Sequence, residues 1–296
     1  EVISDVSVLD KLGKSFSMGD FFDEIKTKPL ANKTIQQARE DMEKLSLYES
    51  FHPNHILLTT SRMTTIEFHP SNKRKVVFGG DTNGMLGIWA VDDDGDDEPA
   101  ITRFNPHRKN IARIAVRPEA LEEVVSCSYD GSIRTMDLTK NISKVIVEFD
   151  DQWGDASGIS DFKFIDKNVG YLTTLNGEFA KFDLREDTIR RESCDVYRLH
   201  DKKIGYFSAC PTDSNLVASA SLDRTMRIWD LRMIRRQVWS DYEDAKGPQC
   251  IAAYRSRLSV SCTDWNKSGD IVCNGYDDSI RIFQMDKGEG ILSYSK

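Results

Sequence analysis

The segment SASLDRTMRIWDLR, residues 219–232, contains two short runs in which apolar and polar residues alternate on either side of a turn. This alternation predicts a β-hairpin, and the second run ends in Trp229-Asp230. His200 precedes the hairpin in the chain. Four other segments end in the same way: DTNGMLGIWAVD (81–92), SYDGSIRTMDL (128–138), TLNGEFAKFDL (174–184) and GYDDSIRIFQM (275–285).

The five segments share one register. Their bulky positions recur at intervals of 46 to 54 residues, at Trp89, Met136, Phe182, Trp229 and Phe283. A turn-forming residue stands six positions before each of them: Asn83, Asp130, Asn176, Asp223 and Asp277. Asn-Gly and Asp-Gly are strong hairpin signals because both positions tolerate a positive φ. A further predicted strand precedes each hairpin: TTIEFHP (64–70), ARIAVRP (112–118), ISDFKF (159–164), GYFSACP (205–211) and VSCTDW (260–265).

A unit of about 40 to 45 residues with several strands and a Trp-Asp ending resembles the WD repeat, which implies an all-β propeller. Seven blades are expected in such a fold, and five are visible between residues 61 and 285. The C-terminal blades are therefore expected to be missing from this sequence. The segment HILLTT (55–60) is a candidate outer strand that would close the ring. The predicted domains are residues 1–54, an N-terminal extension, and residues 55–296, the propeller.

The N-terminal extension is predicted to be helical. Thr34 and Gln37 have the spacing of a capping box. Four apolar residues then follow at helical spacing: Ile35, Ala38, Met42 and Leu45. A second, shorter helix is predicted within FSMGDFFDEIK (16–26).

The composition is that of a globular protein, with 39% hydrophobic and 30% charged residues among 296. No apolar run approaches the ~18 residues of a membrane helix, and no leader is visible, so neither a membrane partner nor a signal peptide is expected. The six cysteines have no zinc-ribbon spacing and are expected to be reduced. The net charge is −8, but six acidic residues lie in Asp92–Glu98, and without them it would be −2.

The sequence offers no arrangement for catalysis. It lacks G-x-S-x-G, P-loop and G-x-G-x-x-G motifs, so no enzyme, cofactor or small-molecule substrate is predicted. The turn carboxylates recur once per blade and are interpreted as structural. His200 and His107 are likewise expected to hold their blades together. His52 and His55 lie close in sequence but have no evident third ligand, so no metal site is predicted.

Basic residues recur just before the first strand in four of the five units. They are Arg62, then Arg108 and Lys109, then Lys202 and Lys203, then Arg255 and Arg257. Equivalent loops of a propeller share one end of the ring, so these cations are expected to converge there, with Arg113 extending the patch. The third unit is the exception, with Trp153-Gly154-Asp155. Such a surface suits phosphates, although a set of solvated loops is the alternative.

Three strings extend the resemblance to a particular family: SRMTTIEFHPS (61–71), LHDKKIGYFSACP (199–211) and QAREDMEKLSLYESF (37–51). With ASASLDRTMRIWDLR (218–232), they are similar to the propeller subunit of UV-damaged-DNA-binding protein and to fungal DNA-damage-binding WD-repeat proteins. The resemblance implies phosphate contacts at one end of the propeller and a preference for UV-damaged duplex. It assigns DNA contacts to Arg62 and Lys203, with Lys202 beside them. The sequence contains no counterpart of the apolar and aromatic wedge with which that family fills the gap at a lesion. A modest preference for damaged duplex is then expected from duplex deformability alone.

The resemblance also implies a protein partner. Trp229-Asp230-Leu231-Arg232 matches the signature of substrate receptors of cullin-4-type ubiquitin ligases, and Phe182-Asp183-Leu184-Arg185 is a degraded copy. Arg232 and Arg185 are therefore candidate contacts for a ligase adaptor. The alternative is that Arg232 merely follows a strong repeat. The acidic run Asp92–Glu98 is most simply a solvated loop, with histones as an alternative partner.

These observations together predict a non-enzymatic, nuclear DNA-binding protein that acts in the DNA damage response or DNA metabolism. Its predicted DNA-binding residues are Arg62, Lys109, Arg113, Lys202, Lys203 and Arg257. The alternative function is a protein-interaction scaffold or a ligase substrate receptor.

Overall fold

The computed structural model describes residues 3–5, 10–12, 56–71, 73–93, 99–150, 157–186, 188–234, 250–286 and 291–295. These residues form β-strands and two short 3-10 helices, Val91–Asp93 and Arg191–Ser193. The chain forms two compact units. Unit 1 comprises residues 1–128 and 134–145, and unit 2 comprises residues 129–133 and 146–296.

Two short strands near the N-terminus, β1 (Ile3–Asp5) and β2 (Asp10–Leu12), join sheets formed by later residues. The first of these sheets, blade 1, contains β3 (Met63–Phe68), β4 (Val76–Asp81), β5 (Leu86–Ala90) and β6 (Ile101–Phe104). Blade 2 contains β7 (Ile111–Arg117), β8 (Ala120–Ser128), β9 (Ser132–Asp137) and β10 (Ile142–Glu148). β2 pairs with β6 at the edge of blade 1, and β1 pairs with β10 at the edge of blade 2.

Three further four-stranded sheets follow. Blade 3 contains β11 (Ile159–Phe164), β12 (Val169–Thr174), β13 (Glu178–Asp183) and β15 (Asp195–Arg198), while β14 (Ile189–Arg190) pairs with β10. Blade 4 contains β16 (Ile204–Cys210), β17 (Asp213–Ser221), β18 (Thr225–Asp230) and β19 (Ala252–Arg255). Blade 5 contains β20 (Val260–Trp265), β21 (Ile271–Gly275), β22 (Ile280–Asp286) and β23 (Ile291–Ser295). The predicted all-β architecture and the five repeated units are confirmed.

Every predicted hairpin contains one residue in the left-handed region of backbone space. These residues follow the predicted turn formers: Gly84, Gly131, Gly177, Arg224 and Asp278. The side chain before this residue organises the turn in blades 2 and 4, where Asp130 Oδ1 accepts from Ser132 N and Asp223 Oδ1 accepts from Thr225 N. The interpretation of these carboxylates as structural is confirmed, because local bonding of this kind fixes the turn.

The cores lie between consecutive sheets of each unit. In unit 1, Phe78 and Ile88 of blade 1 pack in one cluster with Ile111 and Val124 of blade 2. In unit 2, Phe179 of blade 3 packs with residues of blade 4, and blade 4 packs in turn against blade 5. Neighbouring sheets within each unit therefore bury the faces that they share, as expected for stacked repeats.

The prediction that HILLTT is a strand is wrong for its described residues, 56–60. Leu58 instead packs against Val77 and Ile101, and the carbonyl groups of Leu57 and Leu58 accept hydrogen bonds from the Arg103 guanidinium. Because the side chain of Arg103 takes up these carbonyls, they make no strand ladder.

The predicted helices at residues 16–26 and 34–45 lie outside the described residues. The described parts of the extension, β1 and β2, are strands rather than helices. Both segments pair with sheet edges, which supplies their backbone groups with partners. No helix of the described ranges is long and apolar enough to cross a membrane.

Candidate nucleic-acid interface

A backbone hydrogen bond marks the start of the first strand in four blades. The carbonyl oxygen of the residue just before that strand accepts a hydrogen bond from the backbone N–H of the residue just after the second strand. The bonds run from Thr82 to Arg62 (3.1 Å), Leu175 to Gly158 (2.9 Å), Leu222 to Lys203 (3.0 Å) and Tyr276 to Ser259 (3.0 Å). Arg62 and Lys203, which the sequence selected independently, therefore occupy equivalent positions in blades 1 and 4.

Lys109 and Lys202 form a second equivalent pair. The carbonyl oxygen of Lys109 accepts from Ser128 Oγ at 3.0 Å, and that of Lys202 accepts from Ser221 Oγ at 3.1 Å. Both lysine side chains are exposed. The repeat therefore anchors each loop through its backbone and leaves the ammonium group in solvent.

The basic loops are also tied to the hairpin turn of the preceding blade. The backbone N–H of His107 donates to Gly84 O (3.3 Å), and that of His200 donates to Gly177 O (3.1 Å). A Cβ at either glycine would clash with the carbonyl of the histidine it faces, and φ is +88° and +83° at these positions. Glycine is thus required by both the close approach and the left-handed backbone.

Unit 1 contributes three of the predicted DNA-binding residues. Arg62 and Lys109 are exposed loop residues at the start of blades 1 and 2. Arg113 differs because it lies within β7 and is half-buried. Burial raises the pKa of Glu67 on β3, and the positive charge of Arg113 opposes this rise. Part of the Arg113 charge is therefore directed at a carboxylate of its own unit.

Unit 2 contributes Lys202, Lys203 and Arg257. Lys202 and Arg257 are exposed, whereas Lys203 is half-buried. The Lys203 ammonium donates to the Tyr129 hydroxyl and lies over the Tyr129 ring, 4.9 Å from its centroid. An ammonium group has three donors, so this contact orients Lys203 and leaves donors for a ligand.

Sequence reasoning missed three residues at this end of unit 2: Arg224, Tyr129 and Tyr276. Arg224 is exposed and takes a φ of 73° where blades 1 to 3 have glycine. Its carbonyl accepts from Ser256 N at 2.8 Å, next to Arg257. The sequence does contain a signal for Arg224, because an arginine there occupies a turn position that favours glycine, at a conformational cost.

A four-residue hydrogen-bond network holds the loop that carries Lys202 and Lys203. His200 Nδ1 bonds Asp223 Oδ2 (2.8 Å) and His200 Nε2 bonds Ser219 Oγ (2.6 Å). Trp229 Nε1 donates to the same Ser219 hydroxyl at 2.8 Å. All four side chains are buried or nearly so. The predicted structural role of His200 is confirmed.

The electrostatics of this network favour neutral histidine and ionised aspartate. Burial lowers the pKa of His200, and the Asp223 carboxylate only partly opposes this. Burial acts to raise the pKa of Asp223, but hydrogen bonds from His200 and Thr225 outweigh it, so that pKa lies below its ordinary value. The His200 imidazole therefore serves as a bridge rather than as a charge for DNA.

Blade 2 contains a reduced form of the same network. His107 Nε2 bonds Ser126 Oγ at 2.8 Å, and both residues are buried. Met136 takes the position of the tryptophan and is buried. The structural role expected for His107 is confirmed.

The opposite end of blades 3 and 4 carries two matching Asp–Arg pairs. Arg185 Nε lies 2.9 Å from Asp183 Oδ1, and Arg232 Nε lies 2.9 Å from Asp230 Oδ1. Both arginine side chains are exposed, at 71% and 63%. The hydrogen bond from Arg185 lowers the pKa of Asp183 to about 2, and Arg232 lowers that of Asp230. The six residues of β18 separate Arg232 from the basic end by about 20 Å.

The described residues contain no group of three or more His, Cys, Asp or Glu side chains that could hold a metal ion. His52 and His55 lie outside those residues, as does most of the acidic run. Asp92 is described, and its carboxylate accepts from the backbone N–H and the ammonium of Lys75 at 2.7 and 3.2 Å.

Comparisons with known proteins agree with this architecture. Residues 192–230 match the family described as "WD domain, G-beta repeat". A chain of the crystal structure of the mitotic checkpoint complex is similar with a TM-score of 0.57 and 14% identity, covering 80% of this chain and 64% of that chain. The WD40 β-propeller domain of Doa1 gives a TM-score of 0.52 and 16% identity, covering 74% and 63%. At these identities the likeness shows the fold alone.

Sequence relatives are much closer. "DNA damage-binding protein CMR1" of Scheffersomyces stipitis is 45% identical, over 94% of this chain and 56% of that protein. The proteins of the same name from Meyerozyma guilliermondii and Candida albicans are 44% and 39% identical, over 97% and 96% of this chain. They are covered over 52% and 51%, so the chain spans about half the length of these relatives. The chain therefore contains a segment that matches the WD repeat, and over most of its length it is similar to the fungal proteins named DNA damage-binding protein CMR1.

Proposed function

We propose that this chain is a non-enzymatic DNA-binding protein that holds duplex DNA by its phosphates. The observation that carries the proposal is the repeated placement of cations at the start of the blades, where loop backbones are fixed and side chains exposed. The proposed contacts are Arg62, Lys109 and Arg113 in unit 1 and Lys202, Lys203 and Arg257 in unit 2. Arg113 is expected to contribute least, because it is half-buried and Glu67 attracts part of its charge.

Two kinds of support favour DNA over another polyanion. The relatives with up to 45% identity carry the name DNA damage-binding protein. Arg62 and Lys203 hold equivalent backbone positions, each at the start of a blade in its own unit, and cations placed in this way suit contacts with phosphates. The proposal includes a role in the nucleus, where such a ligand is found, in the DNA damage response or in DNA metabolism.

A preference for UV-damaged duplex is part of the proposal. A lesion makes a duplex cheaper to kink, so a protein that binds bent DNA gains affinity for damaged sites without reading a base. The names of the relatives support damage as the relevant feature.

The test is fluorescence anisotropy with matched undamaged and UV-irradiated duplexes across a salt series. We expect micromolar or tighter binding and a steep negative slope of log K against log salt, about 0.9 per phosphate neutralised. Affinity for the irradiated duplex should exceed that for the undamaged one. Absence of binding to either duplex at low salt would overturn the proposed function.

A second function, on the opposite end of the blades, is a contact with a ubiquitin-ligase adaptor. The matched Asp–Arg pairs of blades 3 and 4 favour it, because Arg185 and Arg232 are presented in the same way by adjacent repeats. The two functions are compatible, since they use different ends of blade 4. A contact between histones and the acidic run Asp92–Glu98 stays a prediction.

Replacing Arg232 with histidine should abolish recovery of the adaptor subunit of a cullin-4-type ligase and leave DNA affinity unchanged. Arg232 is 63% exposed and its guanidinium pairs with Asp230 at the surface, so the change should not unfold blade 4. A pull-down with purified adaptor measures the effect. Lys140→Ala is the matched control, because Lys140 is 68% exposed and pairs with Asp137 in blade 2. Equal recovery by wild type and Arg232→His would exclude this assignment.

A further inference from the structure

The end of unit 2 that carries the basic residues also presents a tyrosine ring. Tyr276 follows the second strand of blade 5, and its side chain is 66% exposed. Its backbone N–H donates to the carbonyl of Ser259, so the residue is fixed while its ring lies in solvent. An exposed aromatic side chain at a fixed backbone position is a candidate ligand contact.

Hydrogen bonds link Tyr276 to Lys203 across two blades. The carbonyl of Lys203 accepts from Leu222 N (3.0 Å), and the carbonyl of Leu222 accepts from Ser259 Oγ (3.2 Å). The carbonyl of Ser259 accepts from Tyr276 N (3.0 Å). Three consecutive bonds therefore hold the backbones of Tyr276 and Lys203 at the same end of neighbouring blades.

Tyr129 is the equivalent residue of blade 2, and the two tyrosines differ in what covers them. The Lys203 ammonium lies over the Tyr129 ring, which is half-buried. Tyr276 is mostly exposed. Tyr129 orients a cation, whereas the ring of Tyr276 is available to a ligand.

We propose that Tyr276 stacks on an unpaired or extruded base of DNA whose phosphates Lys203 and Arg257 hold. Positive charge with an adjacent aromatic ring is the usual combination for binding single-stranded nucleic acid, because every base has a face that can stack. In a paired duplex these faces are covered by neighbouring bases, so the ring gains little there. This inference rests on the proposed function and adds the substrate class: DNA that contains unpaired bases.

The test compares a fully paired duplex with a duplex of the same length that carries a short central bubble. Stacking of one base is worth ~1–3 kcal/mol, which corresponds to about 5- to 150-fold in affinity. We expect wild type to favour the bubble. Tyr276→Ala should lose about fivefold or more of its affinity for the bubble and keep its affinity for the paired duplex. Tyr276→Phe should behave as wild type, because it keeps the ring.

A second readout reports stacking directly. 2-Aminopurine placed in the bubble should be quenched by wild type and by Tyr276→Phe but not by Tyr276→Ala. Phe68→Ala is the matched control, since Phe68 is 64% exposed and lies at the far end of the first strand of blade 1. It should change neither affinity nor quenching.

The outcomes separate the two proposals. If wild type binds paired duplex with a steep salt slope but Tyr276→Ala alters neither the bubble preference nor the quenching, Tyr276 is solvated surface and the inference is overturned. The proposed function would then stand. If wild type binds neither DNA at low salt, the proposed function fails and the inference fails with it.

Discussion

Replacing Lys203 with glutamate is expected to weaken binding to undamaged and irradiated duplexes alike, by about tenfold or more. A hydrogen bond to a charged group contributes ~1.5–3 kcal/mol, and ~1.4 kcal/mol is a factor of ten in affinity. The variant should also reduce the slope of log K against log salt by about one, because one phosphate contact is lost. Anisotropy at three or more salt concentrations measures both quantities.

The expected loss follows from how Lys203 is held. Its backbone is fixed by Leu222 N, and its ammonium is oriented by the Tyr129 hydroxyl and ring. A pre-oriented side chain loses little entropy when it binds. A glutamate could accept a hydrogen bond from the same tyrosine hydroxyl, so the fold should tolerate the change and the effect should be on DNA.

The matched control is Lys267→Glu. Lys267 is exposed in the turn between β20 and β21, at the end of blade 5 opposite to Arg257. The change in net charge is identical, so any effect of total charge appears in both variants. If the two variants weaken binding equally, the phosphate contact of Lys203 is refuted and binding depends on net charge alone.

The sequence predicted well those features that repeat. The structure contains the predicted hairpins, the cations at the start of their blades (Arg62 and Lys203) and the structural histidine His200. Each of these features belongs to a pattern that recurs in the sequence with a fixed register. A repeated pattern is informative because each blade needs the same turn geometry and the same contacts to its neighbour.

Features that depend on a single contact could not be predicted. The apolar run in HILLTT resembles a strand in sequence. Its backbone is instead held by hydrogen bonds from Arg103, a residue about 45 positions away in sequence. The sequence does not single out Arg224 and Tyr276, because the pattern at their positions predicts only a turn. Their exposure depends on which faces the neighbouring blade covers, and only the packed sheets define those faces.

Replacing Trp229 with alanine is expected to lower the free energy of unfolding of unit 2 by about 3–5 kcal/mol, the usual cost of removing a large aromatic side chain from a core. Trp229 is 1% exposed and packs in one cluster with Phe179, Ile204 and Phe207. Its indole N–H also donates to Ser219 Oγ, so the variant loses both packing and a buried hydrogen bond. Guanidinium unfolding followed by circular dichroism measures the change.

Trp229→Phe separates packing from the hydrogen bond. Phenylalanine occupies the equivalent, buried position in blades 3 and 5, as Phe182 and Phe283, so the repeat accommodates its ring. The variant should cost about 1–2 kcal/mol, since Ser219 still bonds His200 while the indole donor is lost. It should bind DNA as wild type does, because the bonds of His200 to Asp223 and Ser219 still hold the lysine loop. An alanine variant as stable as wild type would show that this network does not hold blade 4 together.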